Sequence, residues 1–242
     1  MITIARPAPT AGVELATAAV AQLVMLAGLA AGAGTGAAGL LAGAGYAAAL
    51  LTLLGKAMRA ARRQALGPAD VVTLARALLV GAVTALVVEG VVTGTTPVLV
   101  LVAVASVALA LDAVDGRVAR RSGTVSSLGA RFDMEVDAFL VLVLSVHVAL
   151  GIGPWVLTIG LMRYAFVAAS WVFPWLRGSL PPNYAAKTVA ALQGVVLVVA
   201  ASHLLAPLWT AGLVAAALAA LCWSFGRDVR RLWLRTARRA AG

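Results

Sequence analysis

Apolar runs of about 20 residues, long enough as helices to cross the roughly 30 Å hydrocarbon core of a bilayer, recur along almost the whole sequence. Eight spans are expected, at roughly 13–33, 36–54, 70–89, 95–115, 131–150, 155–173, 185–205 and 209–226. All should be helical, because lipid offers the backbone no hydrogen-bonding partner and an α-helix satisfies its own N–H and C=O groups. The expected fold class is therefore all-α, a polytopic integral membrane protein. Residues 1–66 are read as an accessory transmembrane hairpin with a basic linker, and 67–242 as a six-helix core with a basic C-terminal tail.

The connections alternate in charge. GTG, GVVTGTTP, GIGP and LLAPL contain no Lys or Arg. The others hold Lys56, Arg59, Arg62 and Arg63, then Arg117, Arg120 and Arg121, then Arg177, and finally the tail from Arg227 to Arg239. With Arg6 on the same side, the positive-inside rule predicts both termini in the cytoplasm, in a protein of the cytoplasmic membrane. Topology thus accounts for 19 Lys and Arg against 9 Asp and Glu, and no nucleic-acid surface of interleaved cations and aromatics is needed. Trp155, Trp171, Trp175, Trp209 and Trp233 fall near expected span ends, where indole rings favour the headgroup region. The first span follows a long lead-in with Pro7, Pro9 and Glu14, and is expected to stay as an anchor rather than be cleaved.

Within the first two spans, Gly28 with Gly32 and Gly39 with Gly43 have the spacing that lets helices approach closely. Cys222, the single cysteine, lies in an apolar run and is read as packing. His147 and His203 have no second histidine at ligand spacing along the chain, so packing or a local hydrogen bond is expected of each.

The acids are distributed very differently from the cations. Five of the nine fall in DAVDGRVARRSGTVSSLGARFDMEVD, residues 112–137, where an apolar run ends. Asp112 and Asp115 are three residues apart and share a helix face with Ala119; Asp133 and Asp137 form an i, i+4 pair on the next helix. Glu135 lies about 200° around from Asp133 and points elsewhere. Four carboxylates converging at a membrane interface repel one another and are costly to desolvate. Arg120 and Arg121 are too few to balance them, whereas hard divalent cations such as Mg²⁺ or Mn²⁺ suit a cluster of oxygen ligands. Two such ions about 3.5–4 Å apart can bridge a phosphate and stabilise both the entering and the leaving oxygen. The chemistry suggested is phosphoryl or phosphodiester transfer.

The spacing Asp112-x2-Asp115-Gly116-x2-Ala119-Arg120-x8-Gly129-x3-Asp133-x3-Asp137 resembles the signature of the CDP-alcohol phosphatidyltransferase family at all eight defining positions, and within it bacterial phosphatidylglycerophosphate and phosphatidylinositol-phosphate synthases. The resemblance implies a six-helix fold with the motif between its second and third helices, and a homodimer. It implies that Asp112, Asp115 and Asp133 hold two divalent ions, Mg²⁺ or Mn²⁺, with Asp137 completing the site and acting as general base. Gly116 and Ala119 resemble the small residues that admit a cytidine diphosphate, and Arg120 the arginine near the donor diphosphate. These roles agree with the residue chemistry: Gly116 removes a side chain where a nucleotide approaches backbone, and arginine presents planar donors to phosphate. Gly129 would let the two helices pack closely before Asp133.

Upstream, PADVVTLARALL resembles a Pro-Asn-x-x-Thr-x-x-Arg pattern of the family, leaving Thr73 and Arg76 in register as substrate-binding candidates. Asp70 replaces the Asn and also reads as a plain helix N-cap. Arg163, inside the apolar run VLTIGLMRYAFVAASW, and Lys187, before Thr188 at a span start, are further candidates with Arg131. These cations are expected to receive the acceptor or a phosphate on it. The resemblance implies transfer of a phosphatidyl group from CDP-diacylglycerol to the hydroxyl of a small polar alcohol, a phosphorylated polyol being favoured, with CMP released. A soluble CDP-alcohol donor with a diacylglycerol acceptor is the alternative within the same chemistry. A transporter or a non-catalytic membrane scaffold is the alternative outside it, although acids clustered at one interface without an inverted repeat argue against a transporter. The tail is read as topology-setting charge that can also meet anionic lipids.

Overall fold

A computed structural model describes residues 11–122, 127–178 and 184–240, excepting the side chains of 68, 113–122, 127, 177, 184 and 237–240. Among the described residues there are eight α-helices, two short 3-10 turns and no strand. The helices are α1 (Ala11–Ala33), α2 (Ala37–Ala60), α3 (Pro68–Thr93), α4 (Val98–Ser122), α5 (Ser127–Ile152), α6 (Leu157–Val172), α7 (Tyr184–Ala201) and α8 (Pro207–Ala240). Each corresponds to one expected span. Six are long and apolar enough to cross a membrane; Val98–Asp112 of α4 and Ala185–Ala201 of α7 are shorter apolar stretches. The protein is an all-α, polytopic membrane protein.

Three helices overrun their expected ends by six residues or more, α4 continuing to Ser122. α2 continues to Ala60 and carries Lys56 and Arg59 in its last turns. α8 continues to Ala240, so the basic tail is an extension of the last span, not a separate segment. Beyond Gly226 the described tail has no Gly or Pro to stop the helix, and its Leu, Arg and Ala residues favour helix. At 34 residues α8 is about 51 Å long, well beyond the hydrocarbon thickness.

The chain divides into two compact units, Met1–Asp137 and Ala138–Gly242, with the boundary inside α5. In the first unit α3 packs against α1, α2 and α4. It is apolar on all sides, as a helix surrounded by protein must be, and Ala77, Val80, Ala82, Val83, Ala85 and Leu86 are completely buried. Gly67 precedes Pro68 at the start of α3, and Asp70 accepts a hydrogen bond from the Gly67 N–H at 3.1 Å. Asp70 therefore stands at the third helical position, one turn inside the N-cap expected for it, because Pro68 enters the helix first. It also pairs with Arg63 at 2.8 Å.

The N-terminal hairpin is bound to the connection before α3 at one end and to α3 itself at the other. Glu14 accepts from the Leu66 N–H at 2.9 Å, and the Ala11 N–H donates to the Gln64 carbonyl at 2.6 Å. Nearby, Ala18, Leu54, Met58 and Leu74 form a buried cluster joined by Leu15, Leu66, Leu128 and Phe132. At the other end Glu89 accepts from the Gly39 N–H at 2.9 Å. Between them α2 lies tight on α3: a Cβ at Gly39 would stand 2.5 Å from the Ala85 carbonyl oxygen, and one at Gly43 would stand 2.7 Å from Leu26 and 3.2 Å from the Gly81 oxygen. Gly28 and Gly32 do not share this role, since added Cβ atoms there would meet nothing within 4 Å. The two glycine pairs have the same spacing, but only the second faces a neighbouring helix.

In the second unit, Gly160 of α6 sits on α5, where a Cβ would approach the Leu142 Cα to 2.5 Å. Gln193 of α7 donates to the Ala217 carbonyl of α8 at 3.0 Å, and Phe166 meets Phe225 edge to face at 5.7 Å. Leu232, in the α8 extension, is buried beside Gly178. The two histidines, widely separated in sequence, come together with ring centroids 6.0 Å apart. Cys222, read as packing, is exposed on the surface of α8.

Candidate active site

Three helices of the first unit bring opposite charges to one point. Arg76, two turns into α3, is completely buried. A guanidinium in that position is strongly unfavourable unless carboxylates meet it. Its Nη1 donates to Asp112 of α4, and its Nη2 donates to the Asp133 side chain of α5. The same Nη2 lies 3.2 Å from an Asp137 oxygen and 3.3 Å from the Asp133 backbone carbonyl. The i, i+4 spacing of Asp133 and Asp137 puts both on the face of α5 that looks at Arg76. The planar fork of arginine is what lets one side chain engage all three acids.

The acids are more open than the arginine. Their side chains are 37 % exposed for Asp112, 37 % for Asp133 and 42 % for Asp137, against 1 % for Arg76. One oxygen from each lies within 4.8 Å of the others. With all three ionised, one guanidinium leaves a net negative site whose remaining ligand capacity is carboxylate oxygen. That donor set fits a hard divalent cation.

The expected site residues fall into four groups. Asp112, Asp133, Asp137 and Arg76 are brought together. Thr73 is buried one turn before Arg76, its hydroxyl donating to the Ala69 carbonyl at 3.1 Å, and Gly129 and Arg131 occupy the first turns of α5, half-buried and exposed respectively. Asp115, Gly116, Ala119 and Arg120 lie on α4, but their side chains are outside the described residues. Arg163 and Lys187 belong to the second unit, Arg163 half-buried midway along α6 and Lys187 exposed in the first turn of α7.

The central place of Arg76 was not legible from the acidic motif, which holds cations of its own at Arg120 and Arg121. One signal did exist: a lone arginine inside an apolar span must find acids on another helix.

A family model for CDP-alcohol phosphatidyltransferase matches residues 67–225. The chain belongs to the CDP-alcohol phosphatidyltransferase family. No curated protein and no solved structure matches it. As a CDP-alcohol phosphatidyltransferase it is an integral membrane transferase of substituted phosphate groups, of the kind that serves phospholipid synthesis with CDP-alcohol substrates. The matched segment begins at Gly67, immediately before α3, and ends within α8. The α1–α2 hairpin and the basic end of α8 lie outside it.

Proposed function

We propose that this protein transfers a phosphatidyl group from CDP-diacylglycerol to the hydroxyl of a small polar alcohol, releasing CMP. The observation that carries the reading is the convergence of Asp112, Asp133 and Asp137 on one buried arginine, in a chain of this family. Asp112, Asp115, Asp133 and Asp137 would hold two divalent ions, Mg²⁺ or Mn²⁺. When bound, those ions supply charge neutralisation to the donor diphosphate and to the departing CMP.

The remaining work belongs to side chains. Asp137 is the general base: of the three acids its side chain is the most exposed, which opens it to the hydroxyl of an incoming acceptor. It removes the proton of the acceptor hydroxyl, whose oxygen forms a bond to the lipid-bearing phosphorus. The bond from that phosphorus to the bridging oxygen breaks, and CMP leaves with that oxygen. Arg76 keeps the acids from moving apart, and Arg120 steadies the donor diphosphate on the surface opened by Gly116, Ala119 and Gly129. Arg131, Arg163 and Lys187 receive the acceptor, and their charge favours a phosphorylated polyol. The basic connections on one side support an orientation with the site and both termini in the cytoplasm and the donor's acyl chains in the bilayer.

The test is to incubate purified protein with radiolabelled CDP-diacylglycerol and a panel of glycerol phosphate, inositol phosphate, inositol and serine, then repeat with CDP-choline and CDP-ethanolamine plus diacylglycerol. A labelled phosphatidyl alcohol with stoichiometric CMP is expected from the lipid donor. Product from the soluble donors alone would overturn the choice of donor.

A further inference from the structure

The second unit contains a cluster that the transferase chemistry does not use. His147 lies near the end of α5, ten residues beyond Asp137, and is only 7 % exposed. His203 stands in the exposed turn after α7 and adopts φ 55°, a left-handed conformation that histidine enters more readily than most residues. The two rings are tilted by 30° with centroids 6.0 Å apart.

Among the described residues neither ring nitrogen of His147 has a hydrogen bond of good geometry. The Ala201 backbone interacts with the ring as a weak acceptor for one nitrogen. The hydroxyls near the two histidines in sequence direct their protons elsewhere, Ser145 to the Val141 carbonyl and Ser202 to the Val199 carbonyl, each at 2.7 Å. Packing alone explains a buried ring but not a buried nitrogen left without a partner, which native structures rarely tolerate. A direct hydrogen bond between the imidazoles would bring their centroids to about 5 Å. Two imidazoles on one metal ion, at nitrogen–metal distances of about 2.0–2.1 Å, have centroids about 5–6 Å apart depending on the angle at the metal.

We infer that His147 and His203 form a second metal site, selective for a divalent transition metal of the Zn²⁺ or Cu²⁺ class, with water completing the coordination. Nitrogen donors set it apart from the all-oxygen acidic cluster, because imidazole favours these ions and carboxylate favours Mg²⁺. The buried ring provides a fixed ligand. The exposed turn provides the ligand that closes over the ion and its route of entry.

Tag-free protein in lipid nanodiscs, in excess Mg²⁺ to fill the acidic cluster, would be titrated with Cu²⁺ and followed by electron paramagnetic resonance. One tightly bound Cu²⁺ with superhyperfine coupling to imidazole nitrogen is expected. His203→Ala, on the exposed turn, should weaken binding at least about tenfold and leave Mg²⁺-supported CMP release unchanged. His147→Gln should abolish the coupling. Absence of nitrogen coupling in the unmodified protein, or Cu²⁺ affinity and coupling unchanged in His203→Ala, would overturn the site.

Discussion

α3 carries a charge towards each end, and the structure satisfies the two in opposite ways. Arg76 meets three carboxylates from other helices. Glu89 meets the Gly39 N–H in the first turn of α2, and the absence of a Cβ at Gly36 lets its carboxylate come close: an added one would stand 2.6 Å from Oε1. The Glu89 partner is main chain at a helix N-terminus, where the macrodipole favours an anion and nothing can exchange. The partners of Arg76 are half-exposed acids that outnumber it and retain oxygen ligands for another cation. A part-buried charge with a main-chain partner ties helices together, whereas a fully buried one surrounded by an excess of open counter-charges marks a place for chemistry.

The largest effect should come from removing divalent ions. Chelation is expected to take CMP release below detection, with Mg²⁺ or Mn²⁺ restoring it; turnover that persisted in chelator would remove the metal-dependent reading of the acidic end. Asp137→Asn comes next. It keeps the side-chain shape but loses the base, and kcat should fall by about 10²–10⁴-fold with the protein still folded. A near-normal kcat in this variant would reassign the base.

Changes at Arg76 should have smaller effects and separate its charge from its fork geometry. Arg76→Gln leaves the three acids without their counter-charge and should lower kcat about 10²-fold, while Arg76→Lys, keeping charge without the fork, should lose about tenfold. If Gln and Lys behaved alike, charge would not be what Arg76 contributes. The smallest effect is expected at the other end of the helix. Glu89→Gln should reduce stability by about 1 kcal/mol, read as a lower melting temperature in detergent, with kcat and KM unchanged. A large kcat effect there would erase the distinction between the two ends.

Much of the architecture is legible in the residues themselves. Each expected span became a helix because a chain in lipid has only one local way to satisfy its backbone, and the run length sets the number of crossings. The convergence of Asp112, Asp133 and Asp137 follows from i, i+4 geometry and one short connection. Other features were less accessible. Asp70 moved one turn inward because Pro68 begins the helix, and the tail became part of α8 because nothing in its described residues terminates it. Gly28 and Gly39 carry the same local signal, yet only one lies against a neighbouring helix. No periodicity can tell those faces apart when both are apolar.

Hydropathy, local spacing and residue type suffice for the helical class, the positions of the spans, the acidic motif and the family signature. Which cation meets the acids, which glycines the hairpin uses and whether the two histidines become neighbours depend on how the helices pack. Arg76 lies 36 residues from Asp112 and 57 from Asp133. Contacts across such separations arise from how helices pack, and inside a membrane packing is chosen by shape and buried polar pairing, neither of which is written in any one segment.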